Sequence, residues 1–188
     1  MGRAEIIRLI FAQAEISYED VRIKKEDWQK MPFEQVPVLE VDGKMLSQST
    51  AIALYLARKF GLAGESEWES AEVEELFGVG TDLTTHSLPW FKCEDSARKK
   101  KLMAEFETEH LVPKFKRLEN ILAKSESGYF VGKKLTAADL NMLCMIGFFS
   151  SFFPNSTAGL THFNHFKDRI MKLPKIKNWI ETRPKTDF

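Results

Sequence analysis

The chain has 188 residues, and its 44% of hydrophobic and 29% of charged residues are typical of a folded globular protein. Lysine plus arginine number 27, and aspartate plus glutamate also number 27, so the chain lacks the positive excess with which proteins bind nucleic acid or an anionic membrane. No apolar run approaches the roughly 18 residues that cross a bilayer, and we expect neither nucleic acid nor a membrane as a partner.

The first elements along the chain are predicted to be a helix and a short strand. Apolar residues recur at helical spacing between Ile6 and Phe11, with charged residues around them. Tyr18, Val21 and Ile23 then indicate a strand. The chain therefore opens with mixed α and β structure.

A β-hairpin is predicted next. The segment Val36–Val41 is rich in branched residues and predicts one strand, and Lys44–Leu46 predicts its partner. Asp42 and Gly43 lie between them, and both residue types tolerate the positive φ angles of a two-residue turn.

A second helix is expected to follow the hairpin. Ser47 or Ser49 can cap its start, and Gly61 is expected to end it. The segment Leu62–Glu65 has the composition of a linker. We place the boundary between two domains here.

The chain is predicted to divide into an α/β domain over residues 1–63 and an all-helical domain over residues 66–188. Amphipathic patterns in the second domain predict helices over Glu67–Trp90, Ser96–Ala123, Thr136–Phe153, Phe163–Leu173 and Ile176–Glu181. Pro113 should kink or shorten the second of these, because proline removes a backbone donor. Thr136 and Asp139 have the spacing of a capping box.

The cysteines and histidines indicate no metal site. Cys93 and Cys144 are too few for a disulfide framework or a zinc site, and the four histidines lack the spacing of metal ligands or a catalytic triad. The residues after Met1 do not form a signal peptide, so we expect a cytoplasmic protein.

Several short motifs occur in a fixed order over nearly the whole chain. They are GRAEIIR at 2–8, PFEQVPVLEVDG at 32–43, QSTAI at 48–52, FGLAG at 60–64 and TAAD at 136–139. Together they resemble the cytosolic glutathione transferases, and in particular the sigma-like class.

The resemblance implies a thioredoxin-like N-terminal domain followed by an all-helical C-terminal domain. It implies glutathione as a co-substrate whose thiolate attacks a small hydrophobic electrophile, or isomerisation of a prostaglandin endoperoxide. It also implies a homodimer, in which Phe33 lies where an aromatic side chain docks into the partner.

The resemblance assigns site residues by position. Arg3 corresponds to an arginine that tunes the thiolate, and Trp90 and Phe91 lie on the hydrophobic substrate side. The residues that correspond to glutathione-binding positions are Trp28, Lys30, Gln35, Val36, Pro37, Gln48, Ser49 and, from the partner subunit, Asp82.

The residues themselves leave alternatives open. Pro37 after Val36 is also typical of an edge strand that binds no ligand. Ser49 at a helix start can be a simple cap, although the free N–H groups there also attract a carboxylate. Trp28 can be a packing residue, and Asp82 can be a solvent-facing residue of a helix.

The chain also departs from the family pattern. Relatives carry a first strand that ends in a tyrosine ahead of the GRAEIIR segment, whereas Gly2 here follows Met1 directly. Because a hydroxyl donor stabilises the thiolate, we expect weakened catalysis in this chain. The alternatives are a non-catalytic binder of glutathione or hydrophobic ligands, a crystallin-like structural relative, or a truncated gene model of an ordinary enzyme.

Overall fold

The structure is a computed structural model that describes residues 2–184. Its two strands are β1 (Val38–Val41) and β2 (Lys44–Ser47). Its α-helices are α1 (Glu5–Ala14), α2 (Ser49–Lys59), α3 (Glu67–Phe91), α4 (Ser96–Phe106), α5 (Val112–Lys124), α6 (Ala137–Phe152), α7 (Thr161–Met171) and α8 (Pro174–Thr182). No helix within the described residues is long and apolar enough to span a bilayer.

The predicted hairpin is confirmed. Strands β1 and β2 pair antiparallel, with Val38 opposite Ser47 and Val41 opposite Lys44. Asp42 and Gly43 have φ angles of 50° and 72° and form the tight turn. The first strand begins at Val38 instead of Val36, because Pro37 has no N–H group to add to the ladder.

The predicted strand at Tyr18–Ile23 is wrong, since this segment has no regular secondary structure. A strand needs a neighbour to satisfy its backbone groups, and the sheet formed by residues 2–184 contains only β1 and β2. Side chains hold the segment instead. Asp20 accepts hydrogen bonds from Arg8 at 3.1 and 3.0 Å and forms an ion pair with Arg22.

The start of α2 also differs from the prediction. Its N-cap is Gln48, with φ of 72°, and no side chain within the described part of the chain caps this helix end. Ser49 is already the first helical residue, and the buried hydroxyl of Ser47 has no hydrogen-bond partner. The first amide groups of α2 are therefore left without a cap.

The helical half follows the predicted order. The long amphipathic stretch at Ser96–Ala123 is divided by a π-helical turn at Glu107–Leu111, where the Val112 N–H donates to the Glu107 carbonyl. This turn lies directly before Pro113, as expected for a residue that cannot continue the regular ladder.

The capping box at the start of α6 is confirmed. The N–H of Thr136 donates to the Asp139 carboxylate at 2.8 Å, and the reciprocal bond from the Asp139 N–H to the Thr136 side chain is also present. The Phe130 N–H donates to the same carboxylate at 2.9 Å. Asp139 thereby fixes both its own helix and the loop before it.

The two halves of the chain share a packed interface. Helix α1 is the central N-terminal element, since it contacts α2, α6 and α8, and it buries Ile6, Ile7 and Ile10. The linker is itself docked, because Leu62 is buried and its carbonyl accepts from the Ala137 N–H at 2.8 Å. The start of α1 is thus held against the helical half.

Candidate active site

A cavity of about 400 Å³ lies where the starts of α1 and α2 meet α3 and α6. Its N-terminal wall consists of Gly2, Arg3, Ile6, Gln48, Ser49 and Thr50. Its helical wall consists of Phe77, Gly80, Thr81, Thr84, Thr85, Ser87, Leu88, Phe91, Asn141, Cys144, Met145 and Phe148. The two halves of the chain therefore contribute different chemistry to one site.

The N-terminal wall is suited to an anion. Both α1 and α2 start at this wall, and neither helix start has a side-chain cap within residues 2–184. Uncapped helix starts present free N–H groups and the positive end of the helix dipole. Arg3 is the one charged side chain among the described lining residues. These features together favour a carboxylate between Arg3, Gln48 and Ser49.

The helical wall is largely apolar on the side of α6. Phe91, Met145 and Phe148 border the cavity, and the rings of Phe91 and Phe148 have centroids 6.2 Å apart. Phe91 is 49% exposed, which is unusual for a phenylalanine and leaves its ring accessible to a ligand. A hydrophobic group can therefore bind next to the anion site.

The α3 side of this wall carries hydroxyl groups that are already engaged. Thr81 donates to the Phe77 carbonyl at 3.0 Å, and Thr84 donates to the Gly80 carbonyl at 2.9 Å. These bonds stay within α3, so the two hydroxyls have no proton left to donate to a ligand.

Gly80 brings α3 and α6 close together beside the cavity. A Cβ atom at this position would lie 3.1 Å from the Asn141 side-chain nitrogen and 3.6 Å from Met145. The sequence predicts only an unfavourable glycine inside a helix. Glycine in a helix interior costs about 1 kcal/mol relative to alanine. Its presence there is a sequence signal that another helix comes close at this position.

Cys144 lines the cavity, whereas its position in an apolar run predicts a buried filler. Burial raises the pKa of its thiol, and the nearby Glu5 carboxylate raises it further. The thiol therefore stays protonated at neutral pH and is a poor nucleophile. Cys144 is therefore an uncharged residue of the helical wall.

The structure brings together four of the predicted site residues. Arg3, Gln48, Ser49 and Phe91 all line the cavity, although Arg3 and Phe91 are far apart in the sequence. This convergence comes from the packing of α1 and α2 against the helical half.

Other predicted residues lie outside the cavity wall. Trp28 is half-buried and Lys30 exposed in a short 3-10 helix at Lys25–Lys30, where Lys30 pairs with Asp27 at 2.7 Å. Gln35 is exposed, and Val36 and Pro37, joined by a cis peptide bond, lead into β1.

Asp82 and Trp90 are also placed away from the cavity wall. Asp82 is exposed on α3, with its carboxylate 3.8 Å from the Lys114 ammonium of the same chain. Trp90 is only 1% exposed, and its ring packs edge-on against Phe152 and Phe153. Trp90 therefore supports the wall from behind, while its neighbour Phe91 faces the cavity.

Comparison with known proteins gives the family. The family model for the glutathione S-transferase N-terminal domain matches residues 1–58. The family model for the glutathione S-transferase C-terminal domain matches residues 81–183. The chain belongs to the glutathione S-transferase family. The predicted fold class is therefore confirmed, with a thioredoxin-like N-terminal domain and a helical C-terminal domain.

Individual proteins are similar over all or nearly all of the chain. Glutathione S-transferase 1 of Ascaris suum is 39% identical, over 100% of this chain and 94% of the relative. The crystal structure of monomeric Na-GST-3 from the hookworm Necator americanus has 38% identity and a TM-score of 0.88, covering 100% of this chain and 95% of that one. Prostaglandin synthase D of Nilaparvata lugens has 35% identity and a TM-score of 0.90, covering 98% and 94%.

Proposed function

We propose that this glutathione S-transferase binds glutathione at the starts of α1 and α2 and transfers its thiolate to small hydrophobic electrophiles. The observation that carries the proposal is the single cavity that joins an anion-binding wall to an apolar wall. The γ-glutamyl carboxylate binds the free amides near Gln48 and Ser49. The electrophile binds against Phe91 and Phe148.

The chemistry requires glutathione to lose its thiol proton. A free thiol has a pKa near ~8.5, so a positive group beside the sulfur increases the reactive thiolate at neutral pH. Arg3 supplies that charge at the cavity wall. With a chlorodinitrobenzene substrate, the thiolate forms a C–S bond at the carbon that bears chlorine, the C–Cl bond breaks, and chloride leaves.

The remaining glutathione contacts are proposed from the family position of the residues. Val36 can offer its backbone groups to the cysteinyl part of glutathione in the manner of an added strand, because it lies just before β1. Gln35 and Pro37 would hold this segment, and Trp28 and Lys30 would reach the glycyl end. The ion pair of Lys30 with Asp27 is exposed and worth little, so it does not prevent that contact.

The function is tested by binding and turnover with the unaltered chain. Glutathione is titrated by calorimetry, and conjugation to chlorodinitrobenzene is followed by absorbance. Saturable binding with turnover above the uncatalysed rate supports a transferase. Binding without turnover would point to the non-catalytic alternative, and the absence of both would refute the proposal.

We also propose that turnover by this chain is slow. No tyrosine belongs to the cavity lining among residues 2–184, so those residues offer the thiolate no phenol donor. The loss of one hydrogen bond to a charged group corresponds to about 1.5–3 kcal/mol, or roughly one to two decades in rate. We expect at least about tenfold faster turnover when a tyrosine-bearing first strand is placed ahead of Gly2. Equal turnover by the two proteins would contradict this.

Prostaglandin isomerisation is a second candidate reaction. The similarity to the prostaglandin synthase D of Nilaparvata lugens supports it, together with the apolar wall at Phe91 and Phe148. A prostaglandin endoperoxide carries long hydrocarbon chains that this wall can bind while glutathione occupies the anion site. Incubation with the endoperoxide and glutathione, followed by product chromatography, distinguishes isomerisation from spontaneous decay.

We propose a homodimer of the sigma-like class in the cytoplasm. The family position of Phe33 supports the dimer, because an aromatic side chain docks into the partner at this position. Phe33 is 76% exposed and is therefore accessible to a partner. Asp82 is exposed and would reach the glutathione ammonium of the neighbouring subunit.

A further inference from the structure

A buried carboxylate lies at the first residue of α1. Glu5 is only 4% exposed. One of its oxygens accepts hydrogen bonds from the Trp179 indole N–H at 2.9 Å and from the Arg183 guanidinium. Its other oxygen lies 3.6 Å from the Arg8 guanidinium. An ionised carboxylate is tolerated at such burial only when it is paired and hydrogen-bonded, and here the donors come mainly from the far end of the chain.

Glu5 is attached directly to the cavity wall. The Glu5 N–H donates to the Gly2 carbonyl at 3.0 Å and closes the turn that carries Arg3. Gly2, Arg3 and Ile6 on either side of it all line the cavity. A shift of the Glu5 side chain would therefore move the backbone that holds Arg3.

Glu5 and Arg183 also act on the cavity through their charge. The pKa of the Cys144 thiol, which lines the cavity, is raised by burial and by Glu5 and is lowered by Arg183. The two charges thus have opposite effects on this wall, and the Arg183 guanidinium donates a hydrogen bond directly to Glu5. This pairing offsets the negative charge of Glu5 beside the cavity.

We propose that Glu5, Trp179 and Arg183 form a positioning cluster that fixes the first turn of α1, and with it Arg3, at the glutathione end of the cavity. This inference rests on the proposed glutathione site. Without Arg183 the buried carboxylate keeps Trp179 but loses its close cationic partner. The first turn of α1 would then loosen, because no side chain in the described residues caps it.

The test compares Arg183→Met with Lys177→Met, which removes an exposed cation from the same end of the chain. Hydrogen exchange of a peptide that covers residues 2–9 reports on the first turn of α1 without glutathione. Steady-state kinetics give the KM for glutathione and the KM for chlorodinitrobenzene separately. Glu5→Gln and Arg183→Lys are measured alongside, after circular dichroism has confirmed that each variant folds.

In Arg183→Met and Glu5→Gln we expect the amide hydrogens of this peptide to exchange faster than in the unaltered chain. We also expect both variants to raise the KM for glutathione about three- to tenfold. The KM for the electrophile should not change, Arg183→Lys should recover much of the glutathione affinity, and Lys177→Met should match the unaltered chain. If the cluster had a purely structural role, the KM values for glutathione and for the electrophile would rise alike. That result would overturn the proposal.

Unchanged exchange in folded Arg183→Met would overturn it as well, whatever the kinetics. If the unaltered chain does not bind glutathione, the proposed function fails. The exchange measurement is made without glutathione and still shows whether the cluster holds the first turn of α1, so the two failures are distinguishable.

Discussion

The Ser49 side chain can be changed without removing a cap from the helix that carries it. Ser49 is the first residue of α2 but not its cap, because the N-cap position belongs to Gln48. Ser49 lines the cavity beside the uncapped amides. Removing its hydroxyl should therefore affect a bound carboxylate and leave the helix intact.

We predict that Ser49→Ala weakens glutathione binding about ten- to a hundredfold, the effect of one lost hydrogen bond of about 1.5–3 kcal/mol to a charged group. The matched control is Ser96→Ala, which alters the first residue of α4, a helix that contributes no residue to the cavity lining. Calorimetric titration after circular dichroism measures both. An unchanged dissociation constant for Ser49→Ala would place the carboxylate elsewhere.

The neighbours Trp90 and Phe91 show why residue roles are hard to assign from sequence. Both are large aromatic residues near the end of α3, and both were predicted on the hydrophobic substrate side. Consecutive positions on a helix point about 100° apart, so one ring enters the core and the other reaches the cavity. The direction of each ring is decided by where α6 lies.

The glycines of helix α3 also have roles that depend on where α6 packs. The helix contains two interior glycines, and both cost about 1 kcal/mol relative to alanine in an isolated helix. Gly78 has open space around it, whereas Gly80 faces Asn141 and Met145 of α6. The two positions should respond differently to the same substitution.

We predict that Gly78→Ala raises the free energy of unfolding by about 0.5–1 kcal/mol, because it restores helix propensity without a clash. Gly80→Ala should gain less or lose stability, since its new Cβ would press on Asn141 at 3.1 Å. Urea denaturation of both variants gives the comparison. Equal stabilisation would show that α3 and α6 can separate freely.

Helix α7 depends on a cap from another helix. Its own N-cap residue, Leu160, provides no side-chain bond. Glu119 of α5 accepts instead from the Phe163 N–H at 2.7 Å and from the His162 N–H at 3.1 Å. Partial burial acts to raise the pKa of Glu119, but the hydrogen bonds from His162 and Phe163 outweigh it and lower the pKa below its ordinary value of 4.5.

We predict that Glu119→Gln lowers the free energy of unfolding by about 1–2 kcal/mol at neutral pH. Because the folded pKa is lowered, the stabilisation is fully present above the unfolded value of 4.5 and is lost as pH falls through the folded pKa. The difference from the unaltered chain should therefore shrink in acid. Denaturation curves between pH 3 and 7 test this, with exposed Glu105→Gln as control; a difference independent of pH would contradict it.

The oligomeric state is a property of the whole molecule. The relative from Necator americanus is described as monomeric, whereas we propose a dimer for this chain with Phe33 at its interface. Trp68 is a comparable aromatic at 75% exposure on α3 and offers a matched control.

We predict a concentration-dependent dimer that Phe33→Ala shifts towards monomer, since a buried aromatic anchor commonly contributes ~2 kcal/mol or more. Trp68→Ala should not shift it, and Asp82→Ala should weaken glutathione binding while leaving the dimer unchanged. Sedimentation velocity over a hundredfold concentration range measures the state. A monomer throughout would remove Asp82 from the glutathione site.

The family, the fold class, the hairpin and the capping box could all be predicted from the amino-acid sequence. Each of these depends on local chemistry or on motifs in fixed order. Asp42 and Gly43 tolerate positive φ wherever they occur, and Thr136 and Asp139 satisfy one another's amides within a single helical turn.

The residues that share the cavity, and those that hold its wall in place, could not be predicted from sequence, because helix packing brings them together. The segment at Tyr18–Ile23 has strand-like residues but no neighbouring strand among residues 2–184, so its pattern could not form one. Glu119 caps a helix 43 residues away, and Glu5 pairs with Arg183 across 178 positions. Such contacts leave no local pattern, because they depend on how the helices pack and not on the residues beside them in sequence.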